Sequence, residues 1–225
     1  MSNKNIFVAC DVSSQKEIID LLELIHNDIS GIKIGLQYIT RSSPQEIKEL
    51  SKFKKPIFYD GKFFDIKNTL VESVRSLKDL NVNYATVHLL NGIDALKAAN
   101  QAAQEVNINL LGVSVLTSFS DDDLNKLGFN DKVENQIERL IKIAIEAKLY
   151  GVICSPLEVK MIKKISPKLK CFTPGIRMED TNDDQKRTMS ANEAIKEGSD
   201  CLIIGRPITK GDPKENIKYI LSSID

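Results

Sequence analysis

Eight short apolar runs, separated by longer amphipathic stretches, leave this chain few folds to choose from. The runs fall at residues 6–11, 32–35, 57–60, 84–89, 110–116, 151–154, 170–173 and 201–204. They are short, β-branched and almost continuously apolar, which suits strands buried on both faces of a parallel sheet. Between them, residues 15–28 carry Ile18, Leu22 and Ile25 on one helical face, behind possible caps at Ser13 and Ser14. Residues 68–80 repeat that spacing with Leu70, Val74 and Leu77, and residues 131–149 with Val133, Ile137, Leu140, Ile141 and Ile145. The stretch 213–224 opens with Pro213, a favourable first helical residue.

Strand and helix alternating through the chain predict an α/β fold. Eight units in 225 residues predict a single-domain (β/α)8 TIM barrel over residues 1–225, a fold that starts at about 200 residues. A doubly wound sheet is the alternative, but no GxGxxG follows the first strand. No Gly/Ser/Pro-rich linker or low-complexity segment divides the chain.

Composition narrows the function. The 31 Lys+Arg balance 31 Asp+Glu, whereas a nucleic-acid or anionic-membrane partner would favour a basic surface. Two histidines leave little material for a multi-histidine metal site, so acid–base chemistry falls to Lys, Asp and Glu. Cys10, Cys154, Cys171 and Cys201 stand singly without CxxC spacing, as reduced thiols packed in apolar surroundings. The apolar run before Asp11 is too short for a signal peptide. No run approaches the ~18 residues of a membrane helix. A cytoplasmic protein is expected.

In a barrel of this kind, chemistry gathers at the C-terminal strand ends. Those ends carry Asp11, Lys33, Asp60, Lys62, Asp65, His88, Thr117, Arg177, Gly205 and Arg206. Asp60 and Lys62, at i and i+2, should share the barrel mouth, with Lys33 beside them. Flanking carboxylates would keep Lys62 protonated, ready to deliver a proton to a basic carbon. On spacing alone, a solvated strand end with ordinary ion pairs explains the cluster equally well. Arg177 and Arg206 follow strands seven and eight, where barrels often hold phosphate. Asp121, Asp122 and Asp123 read as the acidic first turn of a helix. His26 reads as a surface residue near a helix end, and His88 as a satisfied strand-end residue. No P-loop, GxSxG or HExxH is present.

Residues 60–69, Asp-Gly-Lys-Phe-Phe-Asp-Ile-Lys-Asn-Thr, resemble the signature of the orotidine 5'-phosphate decarboxylase family, in which DxKxxD precedes Ile-Pro-Asn-Thr. The resemblance continues through Ala9-Cys10-Asp11-Val12, Ile32-Lys33-Ile34-Gly35, Thr86-Val87-His88, Val115-Leu116-Thr117-Ser118 and Val152-Ile153-Cys154-Ser155-Pro156. It ends with Thr173-Pro174-Gly175-Ile176-Arg177 and Ile204-Gly205-Arg206-Pro207-Ile208-Thr209. It implies decarboxylation of orotidine 5'-monophosphate (OMP) to UMP, the last step of de novo pyrimidine synthesis, without metal or organic cofactor. By position, Lys62 would protonate carbon 6 of the pyrimidine within an array of Lys33, Asp60, Lys62 and Asp65. Asp11 and Lys33 would meet the ribose, Thr117 the ribose or base, and Arg177, Gln185, Gly205 and Arg206 the phosphate. Ile66 and Thr69 would also contact substrate. Family members are dimers, so Asp65 and Thr69 would complete the partner subunit's site.

Two departures from the family pattern stand out. Lys67 replaces the usual proline, and the stretch from Arg177 to Gln185 is slightly shorter than in close relatives. A related Mg²⁺-dependent hexulose-phosphate synthase shares DxKxxD but lacks the continuation from Ile66 to Thr69. A catalytically silent, nucleotide-sensing barrel would gain nothing from the intact charged set.

Overall fold

The computed structural model describes residues 5–178 and 187–224. Eight parallel strands close in sequence order: β1 Ile6–Cys10, β2 Gly31–Gly35, β3 Ile57–Phe63, β4 Tyr84–His88, β5 Asn109–Val113, β6 Gly151–Ile153, β7 Lys170–Thr173 and β8 Cys201–Ile204. Pairing of β1 with both β2 and β8 completes the ring. Helices occupy the crossovers: α1 Gln15–Ile25, α2 Leu36–Ile39, α3 Pro44–Glu49, α4 Lys67–Ser76, α5 Ile93–Glu105 and α6 Asp121–Lys126. They continue with α7 Val133–Glu146, α8 Val159–Ile165, α9 Ala191–Lys196, α10 Arg206–Thr209 and α11 Pro213–Ser223. This is the expected (β/α)8 TIM barrel.

The helices begin where the sequence offers caps. Ser14 caps α1 by accepting the Glu17 amide, and the buried stripe is Ile18, Leu21, Leu22 and Ile25. Ser120 forms a reciprocal capping box with Asp123, which accounts for the acidic first turn of α6. α1 ends short of Asp28, at the cap residue His26. That imidazole is half-buried rather than on the surface: its Nδ1 lies 2.9 Å from the Leu22 carbonyl, and its ring packs on Phe53. The stretch after Leu70 stays α-helical only to Ser76, then tightens into a 3₁₀ turn, Leu77–Leu80. α5 buries Ala95, Ala99, Ala102 and Ala103, small residues that give a weak periodic signal.

Two apolar layers follow from the period-two alternation of strand side chains. On β1, Ile6, Val8 and Cys10 join the layer between sheet and helices, while Phe7 and Ala9 face the barrel interior. Phe7, Phe58, Tyr84 and Phe172 fill that interior with ring centroids 5.4–6.4 Å apart, mostly edge-on. All four cysteines are buried free thiols, and burial pushes the Cys10 thiol up to about 12. Among the described residues, no helix is long and apolar enough to cross a membrane.

Towards the C-terminal strand ends the interior changes character. Lys33, Asp60 and Thr86 are buried polar residues, each two positions beyond an inward-facing neighbour on its strand. The aromatic plug thus forms the floor of a charged chamber.

Candidate active site

Four side chains from three strand ends meet over that floor. Lys33 Nζ lies 2.9 Å from Asp11 Oδ1 and 3.7 Å from Asp60 Oδ2. Lys62 Nζ approaches the same Asp60 oxygen at 2.8 Å. The Lys33 and Asp60 side chains are only 10% and 11% exposed, so their pair at the centre is not a surface ion pair, while Asp11 and Lys62 flank it from more open positions. Burying each ion alone would cost several kcal/mol. One contact near 4 Å returns roughly 4 kcal/mol at an effective dielectric near 20, so the cluster holds only as a connected set. Burial alone would favour a neutral Lys33, but Asp60 and Asp11 outweigh it and hold the ammonium above the usual lysine range. Burial likewise opposes ionised Asp60, yet Lys33, Lys62 and the hydrogen bonds from Lys62 and Thr86 hold its carboxyl below its ordinary value. Burial and nearby Lys62 lower the pKa of the His88 imidazole; its Nδ1 accepts the Leu90 amide, as befits a satisfied strand-end residue.

Gly35 makes room for this chemistry. A Cβ there would lie 2.7 Å from Asp11 Oδ1 and 3.1 Å from Lys33 Nζ. Gly35→Ala should therefore displace the Asp11–Lys33 pair; where that pair meets the ribose, as the family resemblance implies, UMP binding weakens at least about tenfold, a change near 1.4 kcal/mol. Titration calorimetry beside a thermal melt checks this, with the melt expected to move little.

Lys62 has an unusual backbone. Its φ is 47°, a left-handed conformation that costs a non-glycine residue about 1–2 kcal/mol. The register explains it: pairing jumps from Tyr59↔Ala85 to Phe63↔Val87, so β3 bulges across Asp60, Gly61 and Lys62. Strand β3 consequently runs past Asp60 to Phe63, longer than the apolar run suggested.

Asp65 stands apart from the cluster. It is exposed, its Oδ1 accepts the Ile66 amide, and its own amide donates to Asn91 Oδ1. Asn91 also donates to the carbonyls of Phe63 and His88, pinning this loop to the end of β4. Ile66 and Phe64 are 74% and 63% exposed, and Thr69 is exposed on α4. Thr117 is half-buried beyond β5. Arg177, beyond β7, donates to the Ile176 carbonyl. Gly205 caps α10, and Arg206 is its first residue. Gln185 lies outside the described residues.

One pairing had no counterpart in the strand-end pattern. Arg187 donates to the Leu116 carbonyl at 2.8 Å and pairs with buried Glu158. Glu158 also accepts the Ser155 amide at 3.0 Å. Burial pushes the Glu158 carboxyl up to about 7 against the opposing pull of Arg187. The pair joins the chain beyond β5, next to Thr117, to the loop after β6. Its only sequence trace was the cap pattern from Ser155 to Glu158.

Comparisons with known proteins identify the family and agree with the fold. A family model described as "Orotidine 5'-phosphate decarboxylase / HUMPS family" matches residues 4–220. The chain belongs to this family. The orotidine 5'-phosphate decarboxylase of Wolbachia pipientis subsp. Culex pipiens (strain wPip) is 38% identical over 221 residues, covering 97% of this chain and 98% of the relative. The Dichelobacter nodosus (strain VCS1703A) enzyme is 37% identical and covers 100% of both chains. The crystal structure of the Lactobacillus acidophilus orotidine 5'-phosphate decarboxylase superposes with a TM-score of 0.86 at 30% identity, covering 99% of each chain. Lys67, where the orotidine 5'-phosphate decarboxylase family usually has proline, opens α4. At this first helical position the backbone N–H has no intrahelical partner in any case, so neither residue changes the hydrogen bonds within α4.

Proposed function

We propose that this protein decarboxylates OMP to UMP in pyrimidine biosynthesis, as a carboxy-lyase that needs neither metal nor organic cofactor. The observation that carries the reading is the Lys33–Asp60–Lys62 array at the barrel mouth, with Lys33 and Asp60 buried and Lys62 half-buried. Loss of carbon dioxide breaks the bond from carbon 6 to the carboxylate and leaves the electron pair on carbon 6. No adjacent carbonyl absorbs that pair, so fixed protein charge must stabilise it. Lys62 supplies the ammonium and then gives its proton to carbon 6; the resulting amine is reprotonated from solvent. Asp60 aims Lys62 through their 2.8 Å contact, while Lys33 balances Asp60 and holds Asp11 for the ribose hydroxyls.

Thr117 contacts ribose or base, and Arg177, Gln185, Gly205 and Arg206 bind the phosphate. A homodimer completes the arrangement, with Asp65 and Thr69 reaching the partner's site, and Ile66 contacts substrate. The exposed apolar side chains of Phe64 and Ile66 beside Asp65 support such an interface. The cytoplasm is the compartment that fits a chain with four free thiols.

The deciding experiment follows loss of OMP absorbance with purified protein, with and without EDTA. Turnover equal in both is the expected result. No turnover refutes the activity, and turnover abolished by EDTA refutes metal independence.

A further inference from the structure

Thr86 carries no charge, yet it stands where the charged residues join. It is fully buried in β4. Its Oγ1 donates to Asp60 Oδ1 at 2.9 Å and accepts the Lys62 amide at 2.8 Å. Asp60 Oδ2 in turn accepts the Lys62 ammonium at 2.8 Å. A closed ring results, in which both the backbone and the tip of Lys62 are tied to Asp60, one of them through Thr86.

The β3 bulge makes this ring necessary. Where pairing with β4 lapses between Tyr59 and Phe63, the Lys62 amide meets the Thr86 hydroxyl. The left-handed backbone of Lys62 persists only if its surroundings over-determine it, and this hydrogen bond fixes the amide. Threonine suits the task because its branched Cβ restricts χ1, which keeps the hydroxyl between its two partners.

We propose that Thr86 is a positioning residue, whose hydroxyl fixes the Lys62 backbone and the Asp60 carboxylate so that the ammonium points into the barrel mouth. This rests on the decarboxylase reading above. Thr86→Val keeps the shape but removes the hydroxyl, leaving a buried amide and a carboxylate oxygen each short of a partner. Lys62 can then relax, and a displacement near 1 Å is enough to cost about 100-fold in rate.

The test compares wild type, Thr86→Val and Thr86→Ser in OMP turnover, UMP affinity and the pH profile of kcat/KM. Thr86→Val should lower kcat about 10- to 100-fold while UMP affinity stays within about twofold of wild type. Thr86→Ser should recover most of the loss. Asp60 faces Lys33 from β2 and Lys62 from its own strand, with Asp11 reached through Lys33; His88 of β4 stands near Lys62. Removing one hydrogen bond to its ionised form should move the acid limb of Thr86→Val to higher pH. If Thr86→Val does not fold, Thr86→Ala takes its place with the same expectations. A folded variant with wild-type kcat, a kcat loss matched by equal loss of UMP affinity, or a Thr86→Ser as impaired as the valine variant would each overturn the assignment. Absence of turnover in the wild-type protein would remove the activity reading itself, and this one with it.

Discussion

Lys62→Ala is expected to lower kcat by more than about a thousandfold, the upper end of what one preorganised charge partner contributes, while UMP still binds. The argument starts from where the side chain sits. Its ammonium touches Asp60 but is not packed into the apolar core, so truncation opens no core cavity. Asp60 keeps Lys33 at 3.7 Å and the Thr86 hydroxyl at 2.9 Å, so the carboxylate is not left alone in the chamber. Folding and product affinity should survive. Catalysis should not, because the carbanion at carbon 6 would lose both its countercharge and its proton donor. Absorbance assays for turnover and calorimetry for UMP make the measurement. Wild-type-like turnover would end the assignment of Lys62.

Much of this site could be read from the chain before any coordinates. Eight apolar runs sufficed for the barrel, because a parallel barrel buries both faces of every strand. The residues at those strand ends then follow from the fold, which is why Lys33, Asp60 and Lys62 were expected together and are found together, with Asp11 joined to them through Lys33. The geometry differs from the expectation in one respect. Period-two alternation places Asp60 and Lys62 on one face, but a bulged strand with a left-handed lysine joins them instead. A bulge depends on pairing with a partner strand, and local sequence does not carry it. The same holds for Thr86 and Gly35, whose roles depend on what lies across the barrel mouth, and for the Arg187–Glu158 pair, whose partners are 29 residues apart. Asp65 shows a further limit: one chain leaves it outside the array, and the proposed place for it is in the partner's site.

Arg206→Ala should cost about 2–5 kcal/mol in kcat/KM, the usual penalty for removing one member of a desolvated charge pair. Much of that loss should fall on kcat, although Arg206 acts far from carbon 6 in the proposed pose. In the proposed pose Arg206, after β8, holds the phosphate and Lys62, on β3, faces carbon 6, two groups at opposite ends of the nucleotide. Binding energy gained at a remote, non-reacting group can be used to order the site and exclude water before chemistry occurs. A two-piece experiment separates that role from adhesion. A truncated substrate without its phosphate should turn over slowly with the wild-type protein and faster when inorganic phosphite is added. The same addition should do little for Arg206→Ala, because the guanidinium that would hold the dianion is gone. If phosphite leaves the wild-type rate on the truncated substrate unchanged, phosphate binding serves only to retain the nucleotide. If it accelerates wild type and variant equally, the dianion is gripped elsewhere and Arg206 loses its role.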